Sequence, residues 1–88
     1  MEGLTEGRIV HYVLSNGQHR PAIVVRNWSN PDIPGSDGMA NLIVFSDGSN
    51  DRGVVGGNAT DQGLFWATSA HYDAEGCKHH TWHWIEKA

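Results

Sequence analysis

Apolar and polar side chains alternate in five short runs, separated by glycine-, proline- and asparagine-rich breaks. Arg8 to Leu14 is dense in β-branched and aromatic residues and predicts a first strand. Asn16-Gly17 follows, a pair that tolerates positive φ and marks a hairpin. The second strand is predicted over Ala22 to Trp28, opened by Arg20-Pro21, because proline lacks a ladder donor and suits a strand's first residue. On that strand Ala22, Val24, Arg26 and Trp28 share one face, and Ile23, Val25 and Asn27 the other. Both faces carry apolar groups, which a closed barrel or a dimer would explain. Met39 to Asp47 predicts the third strand, with Leu42 and Val44 opposed to Ile43 and Phe45, and Leu64 to Ala70 the fourth. The run His79 to Glu86 predicts the fifth. It sends His80, Trp82 and Trp84 one way and Thr81, His83 and Ile85 the other.

Between these runs lie a Pro-Gly loop (Ser29 to Gly38), a connector (His71 to Gly76) and a long stretch rich in glycine, asparagine and aspartate (Ser49 to Gly63). Within the last, Gly53-Val54-Val55-Gly56 reads as a turn, since it lacks the strand-to-helix context of a phosphate-binding loop. No segment has a helical period. The expected fold is therefore all-β: residues 1–88 as a single small SH3-like antiparallel β-barrel of about five strands, with one long glycine-rich loop.

Size sharpens this picture. Eighty-eight residues bury little apolar surface, and a lone cysteine, Cys77, allows no disulfide within the chain. Oligomerisation is the expected aid, and an unpaired thiol suits a reducing cytoplasm. Ten acids against six bases give a formal charge of −4, with the cations scattered, which argues against binding a nucleic-acid polymer. No apolar run is long enough to span a membrane, and no leader or basic amphipathic helix is evident, so no membrane partner is expected.

For metal, the candidates adjacent in sequence are His79, His80 and His83, with His71 and Cys77 nearby. On a strand His79 and His83 share a face but lie roughly 13 Å apart, and His80 faces away. That spacing predicts neither a metal site nor a cofactor. No nucleophile elbow, Walker loop or paired-carboxylate signature is present, so no catalytic residues and no enzyme are expected. What remains is stacking and cation chemistry. Tryptophan and arginine together suit a nucleotide-like anion, because a base stacks on the indole and a guanidinium clamps a phosphate. The candidate ligand-binding residues are Arg26, Trp28, Arg20, His11, Tyr72, Trp82, His83 and Trp84. The opposing reading is that tryptophans in so small a chain are its core.

The chain also carries a recognisable order of segments. It runs from Ile9-Val10-His11-Tyr12-Val13 through Arg20-Pro21-Ala22-Ile23-Val24 and Asn41-Leu42-Ile43-Val44-Phe45 to His71-Tyr72, a short turn and Thr81-Trp82-His83-Trp84. This resembles a group of small β-barrel proteins encoded by tailed phages, over most of the chain. In that group a proline often follows the second aromatic, where Ile85 stands here, and the Ser49 to Gly63 insert is longer than usual. The resemblance implies a phage protein working in the host bacterial cytoplasm. By analogy of context, it also implies a homo-oligomeric anti-defence sponge that sequesters a cyclic-nucleotide-like immune signal. The alternatives are a protein-interaction module that inhibits or caps a host or phage protein, and a small metal-binding or hydrolytic protein.

Overall fold

The computed structural model describes residues 1–51 and 63–86. The Gly53 to Gly56 turn and Arg52 lie outside the described residues. Five strands close into one barrel: β1 (Ile9–Val13), β2 (His19–Asn27), β3 (Ala40–Phe45), β4 (Leu64–Tyr72) and β5 (Thr81–His83). The architecture is that of a small SH3-like barrel, as the alternating pattern predicts. Among the described residues there is no α-helix, only a 3-10 turn at Gly48–Asp51, and no helix long and apolar enough to cross a membrane.

Neighbouring strands run antiparallel except at one seam. β5 pairs antiparallel with β1 (His11 with His83, Tyr12 with Trp82) but parallel with β4 (His71 with Thr81, Tyr72 with Trp82). An odd number of strands cannot alternate direction around a closed ring, so one like-directed pair is unavoidable. The Asp73–His80 connector makes it possible. The Asp73 carboxylate gathers the backbone N–H groups of Glu75, Cys77 and Lys78, and this folds the connector into a tight bend.

The interior is filled by alternate residues of every strand: Val10 and Tyr12, Ala22 and Val24, Leu42 and Val44, Phe65 and Ala67, with Trp82 from β5. Trp82 is fully enclosed, and its Nε1–H donates to the Gly38 carbonyl at 2.6 Å. Gly38 is required at this point: its φ is +81°, and a Cβ there would stand 2.8 Å from the Tyr72 Cβ. Tyr12 meets Phe65 edge-on, and its hydroxyl donates to His80 Nδ1 at 2.5 Å. The other nitrogen of that ring faces the Thr68 carbonyl at 3.1 Å and must carry the proton, so Nδ1 is the acceptor. Burial pushes the Tyr12 phenol up to about 12.

Two bulges reset which side chains face inward. Between Val24 and Arg26 the β2 register slips against β3, which turns Arg26 out to solvent. The expectation that Arg26 shares a face with Ala22 and Val24 fails for that reason. Between Ala67 and Ala70 the β4 register slips against β3, with Ser69 at φ +55°. The buried Asn41 sits between these two irregularities. Its Oδ1 accepts from Ser69 N, Thr68 Oγ1 and Trp28 Nε1, at 2.8, 3.1 and 2.7 Å.

The last strand is shorter than its alternating pattern. His80 has φ +65° and lies in a turn, and regular pairing ends at His83, so the face shared by His80, Trp82 and Trp84 does not form. Conversely β2 starts earlier, at His19, and β4 runs on through His71 and Tyr72. Trp82→Ala should therefore cost about 3–5 kcal/mol, enough to unfold so small a domain. Trp84→Ala, at a half-buried position, should cost less. Urea melts of the two variants, followed by far-UV circular dichroism, measure the ranking.

Candidate functional site

The eight sequence-predicted ligand residues do not converge on one pocket. Trp82 is core and offers no ring face to a guest. Tyr72 packs on it at 4.9 Å between centroids, and Trp84 meets it edge-on at 5.0 Å, both half-buried against the core. Arg20 is committed to the fold. Its Nε and Nη2 grip the two oxygens of Asp51 at 2.7 and 2.8 Å, and its Nη1 and Nη2 donate to the His19 carbonyl and Gln18 Oε1. Asp51 is buried and also accepts from the Asp47 backbone N–H. Arg26 and Trp28 do associate, with the guanidinium 3.8 Å above the indole, at the lip of a shallow hollow along residues 27–33. His11 and His83 pair directly across β1 and β5, on the opposite side of the sheet from the core.

That outer side carries two rows of side chains set by strand register. Strand register lines up Ile9, Ile23, Ile43 and Trp66 as one row across β1 to β4. A second row runs from His83 through His11 to Pro21, and Phe45 with Leu64 continues it on β3 and β4. Val25 stands beside them at the bulge. Ile9, Val25, Phe45, Leu64 and Trp66 are each two-fifths or more exposed. No side chain in either row is an acid, a lysine or an arginine, in a chain that has sixteen such residues. The alternation rule places them: Val10, Ala22, Leu42 and Phe65 point inward, so their neighbours must point out.

At the β5 end of the second row the surface changes from apolar to imidazole. His11, His83 and His19, which lies two residues before Pro21 on β2, all project to the outside. Their ring centroids lie 5.7 Å (His11 to His83), 6.0 Å (His11 to His19) and 4.5 Å (His19 to His83) apart. Glu86, on the tail beyond β5, folds back over them. Its carboxylate lies 2.6 Å from His11 Nδ1 and 2.9 Å from His19 Nδ1, and it also contacts His83 Nε2. Partial burial pushes the Glu86 carboxyl up, but hydrogen bonds from its own backbone N–H and from His83 and His11 outweigh that and hold it down, at about 2. These four side chains carry the donor atoms that a metal ion takes. His79 and His80, prominent in the sequence, stay outside the cluster; His80 is spent on Tyr12 and Thr68.

His19 and Glu86 were not among the predicted site residues. A signal for His19 does exist in the sequence: the Asn16-Gly17 hairpin brings it opposite Val13, one step from His11 and on the same face. Glu86 has no such signal, because the tail's path depends on where β5 stops.

No protein-family model, curated protein or solved structure matches the chain. The functional reading therefore rests on the geometry of the outer surface.

Arg20 gives a prediction of its own. Hydrogen bonds from its guanidinium hold the Asp51 carboxyl below the usual carboxylate range. A depressed folded value means that the stabilisation is complete above the ordinary aspartate pKa of about 3.9 and is lost as pH falls through the folded value. Arg20→Ala should cost about 3 kcal/mol at neutral pH, and the gap from wild type should close on acidification. Melting temperatures of both proteins between pH 7 and about pH 3 measure this.

Proposed function

We propose that the protein is a non-catalytic binding module that docks on another protein through the outer face of β1 to β4. The observation that carries the reading is the pair of rows without acid, lysine or arginine, with Phe45 and Trp66 exposed toward their β3–β4 end. Contiguous exposed apolar side chains mark interaction sites more often than singly scattered ones do. Aromatic anchors supply most of the energy of such contacts. The face lacks the cations that a nucleic-acid backbone requires. The resemblance to small tailed-phage barrels supplies the setting, a host bacterial cytoplasm in which such a module caps or inhibits its target.

Trp66→Lys places a charge at the β4 end of the first row without touching the core. It should weaken partner binding by about 2 kcal/mol or more and leave the melting temperature nearly unchanged. Capture from bacterial lysate, followed by light scattering of the purified chain, gives the readout. A stoichiometric partner held by the wild type and lost by the variant supports the proposal. A wild-type dimer that the variant dissociates gives the face to a second copy instead. If neither outcome occurs, the reading fails.

A second reading is favoured by one feature, the Arg26 guanidinium stacked on Trp28 beside the hollow along residues 27–33. A fork and an indole at the edge of a depression suit an anionic, base-containing ligand. Sequestration of a nucleotide-derived immune signal would use that corner of the molecule. Arg26→Ala should leave the fold intact and weaken binding of cyclic nucleotides or cyclic ADP-ribose isomers about tenfold, measured by calorimetry. If the wild type binds none of them, this second reading is lost.

A further inference from the structure

We infer that His11, His19, His83 and Glu86 form a binding site for one divalent transition-metal ion of the zinc class. The inference is independent of what docks on the apolar face.

Convergence is the first observation. Donor atoms from β1, β2, β5 and the tail lie within 4.8 Å of one another. In a tetrahedral zinc site, with bonds of 2.0–2.2 Å, the ligand atoms stand about 3.3 Å apart. The carboxylate is the most exposed of the four groups and has room to shift, while the imidazoles are set by strand backbone.

The second observation is how the rings are oriented. His19 turns Nδ1 toward the centre, and its Nε2 lies 2.9 Å from the Gly76 carbonyl, to which it must donate. A metal-bound histidine is typically oriented in this way, one nitrogen on the ion and the other N–H on a backbone carbonyl. Both nitrogens of His19 thus face oxygens, the carbonyl on one side and Glu86 on the other.

His83 adds a third. It is buried, directs Nε2 inward, and its Nδ1 is enclosed without a hydrogen-bond partner among the described residues. Burial fixes the ring, so Nε2 is held toward the other donor atoms. Gly76 makes the placement possible. A Cβ there would stand 2.9 Å from His83 Cε1 and 3.0 Å from Nδ1, and its φ is +66°. One glycine therefore supplies the carbonyl that orients His19 and the empty side against which His83 lies.

The donor set selects the ion class. Three imidazoles and a carboxylate suit Zn2+, Co2+ or Ni2+, whereas Mg2+ and Ca2+ take oxygen ligands. The ion would join β1, β2, β5 and the tail across the seam where β5 holds each neighbour by two residue pairs. In a domain this small, with no second cysteine, such a cross-link would stabilise the fold.

The test uses the full, untagged chain, stripped with chelator and titrated with Zn2+ by calorimetry and with Co2+ by visible absorption. The expected result is one equivalent bound, intense four-coordinate Co2+ bands, a higher melting temperature with Zn2+, and no response to Mg2+. Because His83 is buried and its removal can unfold the domain, the deciding variants are His11→Asn, His19→Asn and Glu86→Gln. Each should weaken Zn2+ binding by about tenfold or more while the metal-free protein keeps its fold. A wild type that binds no stoichiometric metal overturns the inference. So does binding unchanged in all three variants, which would move the ion to His71, Cys77, His79 or His80.

Discussion

The structure depends on one indole closing an odd-stranded ring. The first four strands pair antiparallel in chain order as one curled sheet. The fifth must cross the barrel end and enter parallel to β4 and antiparallel to β1. It does so with three residues, and Trp82 carries most of what holds it. The side chain buries the largest apolar surface any residue offers. Its N–H is satisfied by the Gly38 carbonyl from the loop before β3, so the strand is anchored to a segment distant in sequence. The Asp73-centred bend behind it is the other requirement, because a looser connector would charge more entropy for the same closure.

Closure also decides what the outside looks like. With the interior already filled by the inward positions of every strand, Trp82, Tyr12 and Phe65 among them, the apolar residues in the alternate positions face outward. Ile9, Phe45, Leu64 and Trp66 are thus exposed by the strand period itself. What the period does not require is that they be apolar. Polar residues there would serve stability as well and solubility better, which makes their chemistry informative about binding.

The fold was legible in the sequence because strands and turns are local: five alternating runs and an Asn-Gly hairpin are enough to anticipate a small barrel. The site was less legible for reasons visible in particular residues. Trp82 and Arg20 have the chemistry of ligand-binding groups, yet one fills the core and the other neutralises a buried aspartate. Composition does not separate these uses; only burial and partners do. Arg26 was misplaced because a bulge shifts parity, and nothing in the Val24-Val25-Arg26 run announces one. The histidine cluster is not legible in the sequence because His79 and His80 are the adjacent pair, whereas the register across three strands assembles His11, His19 and His83.

Core and outer face are joined at two adjacent residue pairs of β1 and β5. Tyr12 pairs with Trp82 inside the barrel, and the next pair, His11 with His83, lies outside. A slip of one residue in β5 would exchange them, driving an imidazole into the apolar interior and an indole onto the outer face, where Gly76 leaves room only for the smaller ring. The cost of that exchange pins the register. With the register pinned, the outward histidines of β1 and β5 have fixed partners, and the hairpin between β1 and β2 delivers the third. The packing that closes the barrel therefore also orders the imidazoles beside the apolar rows, without any residue dedicated to positioning them except Gly76.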